Sequence, residues 1–175
     1  SRRRTCFRTP SPSGVRRCDR APVFKTHCFN EGLFEVQDEG SQLLALMLEP
    51  RRQEMVVDFC AGAGGKTLHI GALMANTGTV YAFDVLAKRL DRLKPRLRRA
   101  GLNNVRMVAI SNERDARVQR LKGKIDRVLV DAPCTGAGIW RRRPDAKWRL
   151  TPEALEKRTG EQDAVLDAAA GFVRP

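Results

Sequence analysis

Three short stretches of this 175-residue chain hold residues whose types and spacing could do chemistry. The first is Asp58-Phe59-Cys60-Ala61-Gly62-Ala63-Gly64-Gly65-Lys66-Thr67, which sets glycines and a lysine between an apolar run and a helical pattern. A turn of this kind lets the backbone approach a ligand closely. Gly65-Lys66-Thr67 looks like the end of a phosphate-binding loop, but that loop needs a glycine where Cys60 stands. The dinucleotide fingerprint needs glycine at 62, 64 and 67, and residue 67 is threonine. S-adenosylmethionine is the third candidate. It carries no phosphate, and an acid at the end of the next strand would accept hydrogen bonds from its ribose hydroxyls. Asp84 stands nineteen residues after Gly65 for that role. Spacing favours the methyl donor and leaves NAD open.

The second stretch, Asp131-Ala132-Pro133-Cys134, brings a carboxylate and a thiol within one turn of chain. The third runs from Trp140 to Arg149 and carries five basic residues, one acid and two tryptophans. Tryptophan beside arginine is what base stacking and phosphate contact need. Trp140, Arg141, Arg142, Arg143, Lys147 and Trp148 are therefore the candidate RNA contacts. The composition agrees: 33 Lys and Arg against 20 Asp and Glu give a net charge of +13, which calls for a polyanionic partner. Aromatic residues make up only 6%, too few for a platform that works by stacking alone. No apolar run approaches the roughly 20 residues of a membrane span.

Five cysteines at irregular spacing, with no CxxC pair, argue against a disulfide framework and for a reducing cytoplasm. Cys6, Cys18, His27 and Cys28 fit no common zinc spacing, so no metal is expected. A monomer is expected.

These residues need elements to position them. Met55–Phe59 reads as a buried strand, and a helix follows the glycine turn from about Lys66 to Ala75. Thr79–Phe83 is a second strand ending on Asp84. Leu86, Leu90, Leu93, Leu97 and Ala100 recur at helical spacing, with Gly101 placed to stop the helix and Pro95 to kink it. Val105–Ile110 is a third strand, and Ile125–Val130 a fourth ending on Asp131. A last helix, capped by Thr151, runs from Pro152 to about Val173, in one piece or two. Upstream, Gly32–Gln37 reads as a short extended segment. Ser41–Leu48 reads as a helix with Leu43, Leu44, Met47 and Leu48 along its apolar face. Alternating strands and helices predict an α/β, Rossmann-like fold with a mainly parallel sheet and helices on both faces. Ligands then bind beyond the carboxyl ends of the strands. Cys60 to Lys66, Asp84, Asn112 to Asp115, and Asp131 to Cys134 all fall there.

Four ordered motifs resemble the RsmB/Nol/Nop/Sun family of RNA cytosine-5 methyltransferases. Asp58 to Thr67 is similar to the family's cofactor loop. Asp131-Ala132-Pro133-Cys134-Thr135-Gly136 resembles its Asp-Ala-Pro-Cys-Ser-Gly signature. Arg141 to Trp148 resembles the Arg-Arg-x-Pro-Asp-x-Lys-Trp stretch, and Phe34 to Glu39 the Val-Gln-Asp segment. The likeness covers about residues 30 to 175. It implies a methyltransferase Rossmann-like fold that uses S-adenosylmethionine on rRNA, or else tRNA. Cys60, Ala61, Gly62, Ala63, Gly64, Gly65, Lys66, Asp84 and Asp131 would hold the cofactor. An Asp after the third strand is usual; position favours Asn112 here and residue type favours Asp115. Gly62-Ala63 stands where the family usually has Ala-Pro. Residues 1–29, a basic Pro-, Ser- and Arg-rich lead-in, do not resemble the family's RNA-binding extension. They are expected to precede a domain spanning 30–175.

Carbon 5 of cytosine is a poor nucleophile. A thiolate must first add to carbon 6, with an acid near ring nitrogen 3 to neutralise the developing charge. Asp131 and Cys134 are the catalytic candidates. In the family the attacking thiol belongs to a Thr-Cys-Ser motif, and the Pro-Cys thiol resolves the adduct. No Thr-Cys-Ser occurs in these 175 residues. The chain is therefore expected to be a cofactor-binding part that stops before the last strands. A non-catalytic RNA-binding module of the same fold is the alternative.

Overall fold

The computed structural model describes residues 23–140, 144–148 and 150–175. Four parallel strands form its centre: β1 (Met55–Asp58), β2 (Thr79–Asp84), β3 (Val105–Ala109) and β4 (Arg127–Leu129). Their order is β3-β2-β1-β4. Met55 pairs in register with Thr79, and Val56 with Arg127. All four strands lie near their expected positions, β4 being three residues long rather than six. After the last helix, Val173 pairs in parallel with Ile125, just ahead of β4.

Strand alternation sends successive side chains to opposite faces, and here both faces are covered. Val57, Phe59 and Phe83 pack with Val118, Ile125, Ala169 and Phe172 on one side. That side is closed by the short helix α5 (Ala116–Gln119) and the long α7 (Pro152–Ala170). Val56 and Val80 face the other way, onto Ala45, Ile70 and Met74. Beside them Ala82 meets Leu68, Leu90, Leu93 and Leu97. These side chains come from α2 (Glu39–Met47), α3 (Gly65–Leu73) and α4 (Ala87–Ala100) and the turn after α3. The result is the three-layer Rossmann-like arrangement expected from the pattern.

Helix ends follow local chemistry. The Thr151 hydroxyl accepts the Ala154 N–H, and Pro152 opens α7, which runs in one piece. Gly101, at φ 66°, closes α4 in the left-handed region, and α4 continues through Pro95 without a break.

One expectation needs correction. The apolar face of α2 is not its buried face: Leu43, Leu44 and Met47 are exposed, and Ala45 is the residue in the core. The close approach of α2 to α3 goes through this small side chain. The short extended segment expected over residues 32–37 pairs with no described strand. It finds partners on α4 instead, where Glu35 accepts hydrogen bonds from Arg96 and Arg99. Ahead of it lie a 3-10 turn (Val23–Lys25) and the one-turn helix α1 (His27–Asn30). The boundary expected after residue 29 falls inside α1. The Arg99 guanidinium sits 3.9 Å over the Phe29 ring, so this part of the lead-in packs onto α4.

Candidate active site

Strand order reverses at β1, which has β2 and β3 on one side and β4 on the other. At the carboxyl ends of β1 and β4 a cleft of about 300 Å³ opens, as expected for a topological switch point. Cys60, Ala61, Gly62, Ala63, Gly65, Lys66 and Asp131 line it, together with Gln37, Ser41, Asp58, Arg89 and Pro133.

The glycine loop is held from several directions. The Ala61 N–H donates to the Phe83 carbonyl at 2.8 Å, and the Gly64 N–H to the Ala61 carbonyl at 2.8 Å. The Gly62 N–H donates to Asp84 Oδ2 at 2.9 Å. From α4, Arg96 donates to the Ala63 carbonyl. Gly62 and Gly64 both lie in the left-handed region, at φ 57° and 81°. They do different things. A Cβ on Gly62 would meet nothing within 4 Å, whereas one on Gly64 would overlap the Leu93 side chain. Gly64 is thus a packing residue rather than part of the cleft lining. It lets the start of α3 sit directly on α4.

Asp58, at the end of β1, is buried and accepts the Thr67 hydroxyl at 2.7 Å. Burial raises its pKa to about 6, against the pull of Thr67 and Lys66. The Cys60 thiol is pushed up to about 12, first by burial and then by the nearby carboxylates of Asp58, Asp84 and Asp131. A thiol in that state is a poor nucleophile. Lys66 Nζ reaches across the cleft to Asp131 Oδ2 at 2.5 Å, joining the loop after β1 to the loop after β4.

Asp84 lies behind the loop rather than on the cleft lining. Its Oδ2 takes the Gly62 N–H, its Oδ1 takes the Leu86 N–H at 2.7 Å, and Arg89 stands 3.9 Å away. Neither candidate after β3 lines the cleft. Asp115 caps α5: its carboxylate accepts from the Ser111 N–H, the Arg117 N–H and the Arg117 guanidinium. These bonds hold its pKa well below the usual carboxylate range. Asn112 is exposed and accepts the Arg114 N–H at 2.8 Å.

Cys134 is exposed, in an irregular loop whose Pro133 carbonyl accepts from Gln162 Nε2 of α7 at 2.8 Å. Trp140 is half-buried. Arg141, Arg142 and Arg143 lie outside the described residues. Lys147 and Trp148 sit on the one-turn helix α6 (Asp145–Trp148), with Lys147 Nζ 5.7 Å from the Trp148 ring centroid and Trp148 exposed. Among the described residues no cluster of His, Cys, Asp and Glu could hold a metal ion. No helix among them is long and apolar enough to cross a membrane.

Sequence reasoning assigned no role to Gln37, Ser41, Asp58, Arg89 or Pro133. Arg89 had a usable signal, one turn beyond Asp84. Gln37 did not, because only the docking of residues 34–38 beside the loop brings it to the cleft.

Residues 45–175 match a family model described as 16S rRNA methyltransferase RsmB/F. A probable ribosomal RNA small subunit methyltransferase B of Synechocystis is 38% identical over 149 residues, covering 83% of this chain and 32% of that protein. The corresponding Bacillus subtilis protein is 36% identical, over 85% of this chain and 33% of its own length. The crystal structure of NSun6 from Pyrococcus horikoshii with SFG aligns at TM-score 0.74 and 34% identity, over 86% of this chain and 38% of that one. The chain spans about a third of the length of the curated relatives it matches.

Proposed function

The chain belongs to the RsmB/F family of 16S rRNA methyltransferases, and from that premise we propose that it is the cofactor-binding part of an RNA cytosine-5 methyltransferase. Its cofactor is S-adenosylmethionine and its substrate is ribosomal RNA, with tRNA second. The observation that carries this is the cleft itself: the glycine loop and Asp131 face each other at the switch point, joined by Lys66.

The residues present fit this cofactor better than a phosphate-bearing one. Lys66, the loop's own cation, is already engaged by Asp131. The space beside Gly62 is open, and the Gln37 amide is buried with neither end hydrogen-bonded. When bound, S-adenosylmethionine supplies an electrophilic methyl group. Asp84 lies off the cleft lining and accepts two N–H groups; the lone pairs left on its oxygens are our assignment for the ribose hydroxyls, reached past Gly62, beside which the space is open. Arg89 flanks that end. Lys66 holds Asp131 at the mouth, where Asp131 meets the cytosine ring and offsets charge developing at nitrogen 3.

Cys60 takes no covalent part, since partial burial and the surrounding carboxylates push its half-buried thiol up to about 12. Cys134 is accessible and resolves the covalent adduct that a Thr-Cys-Ser thiol forms at carbon 6. Trp140, Lys147 and Trp148, with Arg141 to Arg143, contact the RNA around a base that has left its stack.

Calorimetric titration of this chain with S-adenosylhomocysteine, with NAD for comparison, tests the reading. Micromolar binding of the first alone is expected, with no cytosine methylation by the chain on its own. Methylation by the chain alone would move the nucleophile to Cys134. Binding of RNA but of neither small molecule would favour the non-catalytic module.

A further inference from the structure

The cleft contains a side-chain amide whose present surroundings do not account for it. Gln37 lines the cleft beside Gly65; a Cβ built there would lie 3.6 Å from Gln37 Nε2. Both Nε2 and Oε1 are buried, and neither has a hydrogen-bond partner among the described residues. An amide in this state is destabilising for the fold alone. Its segment is fixed from α4. Glu35, two residues earlier, is a buried acceptor for Arg96 and Arg99, and Arg96 also donates to the Ala63 carbonyl of the glycine loop. One arginine thus sets the position of both Gln37's segment and the loop opposite it.

An unused donor and an unused acceptor on one planar group match a ligand that presents an acceptor and a donor side by side. A phosphate or a carboxylate alone would leave Oε1 empty. An α-amino acid offers both, a carboxylate for Nε2 and an ammonium for Oε1. Asp58, also on the cleft lining, has its Oδ1 buried without a partner, a second vacant acceptor suited to the ammonium. Lys66, the residue the sequence offered for the carboxylate, is bonded to Asp131 instead.

We propose that Gln37 is a specificity-determining contact for the amino-acid end of the cofactor, its amide taking the carboxylate through Nε2 and the ammonium through Oε1. This rests on the S-adenosylmethionine reading above. It adds that the segment ahead of the sheet, not only the loop after β1, selects the ligand.

The test compares S-adenosylhomocysteine with 5′-methylthioadenosine, which keeps the adenosine and thioether but lacks the amino-acid end. The wild-type chain, Gln37→Met and Gln37→Glu are each titrated with both and melted without ligand. Gln37→Met should weaken S-adenosylhomocysteine about tenfold or more, the scale of losing hydrogen bonds to charged groups, and leave methylthioadenosine where it was. Its melting temperature should hold or rise, because two unpaired buried groups are gone. Gln37→Glu should also weaken S-adenosylhomocysteine, by setting a second carboxylate against the ligand's own. Unchanged S-adenosylhomocysteine affinity in Gln37→Met would overturn the proposal. So would an equal loss of both ligands with a lowered melting temperature, which would mark a structural residue. A wild-type chain that binds neither ligand would instead bring down the cofactor reading, and this inference with it.

Discussion

The loop after β1 and the loop after β4 face each other across one cleft, yet they are held in different ways. Residues 60–65 are fixed by backbone bonds to β2, by Asp84 and by Arg96, over a floor of buried Asp58 and Thr67. Residues 131–136 have no regular structure, and Asp131 and Cys134 are exposed. Among the described residues the side-chain bonds to them are the Lys66 ion pair and the bond from Gln162 to the Pro133 carbonyl. A small ligand of fixed shape suits the first wall. A nucleobase that must be admitted and released suits the second, because segments with few buried contacts open at low free-energy cost.

The contrast breaks most sharply at Gly64. Alanine there must hold φ near 81° and push its Cβ into Leu93. We expect Gly64→Ala to lose about 3–4 kcal/mol of stability by urea unfolding, left-handed strain and overpacking together. Gly62→Ala carries the strain without the overlap and should lose only about 1 kcal/mol. Equal losses would mean that the loop, not its seat on α4, is the rigid part.

The floor beneath that loop should be legible in pH dependence. Asp58 has a folded pKa of about 6 against an ordinary 3.8, so the native chain holds its proton more tightly than the unfolded chain. Between those values stability falls as pH rises, and at neutral pH the buried charge costs about 3 kcal/mol. His69 of α3 works the other way. Burial lowers its pKa from 6.5 to about 4, so stability rises with pH through that window. The two slopes oppose each other in the wild type. Asp58→Asn keeps an acceptor for Thr67, should be the more stable chain at pH 7, and should show stability rising from pH 4 to 6.5. Urea midpoints across that range check it, and a midpoint at pH 7 no higher than wild type's would show that the charge at Asp58 costs nothing.

The same division governs what the sequence disclosed. The strands were legible because runs such as Met55-Val56-Val57 are apolar, rich in β-branched valine and bounded by turns. The glycine loop and Asp131 were legible because they follow such strands directly. The choice between Asn112 and Asp115 was not, since spacing does not tell that Asp115 caps α5 and that neither residue lines the cleft. The leucines of α2 mislead for a related reason. Periodicity tells which face of a helix is apolar but not which face another element covers. Gln37 carries no signal of its own within its motif, because only tertiary docking through Glu35 places its amide in the cleft.

Smaller effects belong to the second wall. Asp131→Asn removes an ion pair whose carboxylate is 45% exposed, so its stability change should stay within about 1 kcal/mol. A larger loss would mean that Lys66 and Asp131 hold the fold and not only the mouth of the cleft.

The smallest change in stability, about 0.5–1 kcal/mol, is expected for Gln162→Ala, which deletes one hydrogen bond at a surface position. Its value lies in where the effect appears. The Gln162 amide is the tether from α7 to the loop after β4, and nothing in the loop after β1 depends on it. Amide exchange should therefore quicken at residues 131–136 and stay unchanged at 60–65. Exchange that quickens on both sides would show that the Lys66–Asp131 pair couples the walls tightly enough to move them as one. Cofactor binding and base admission could then not be separated by mutation.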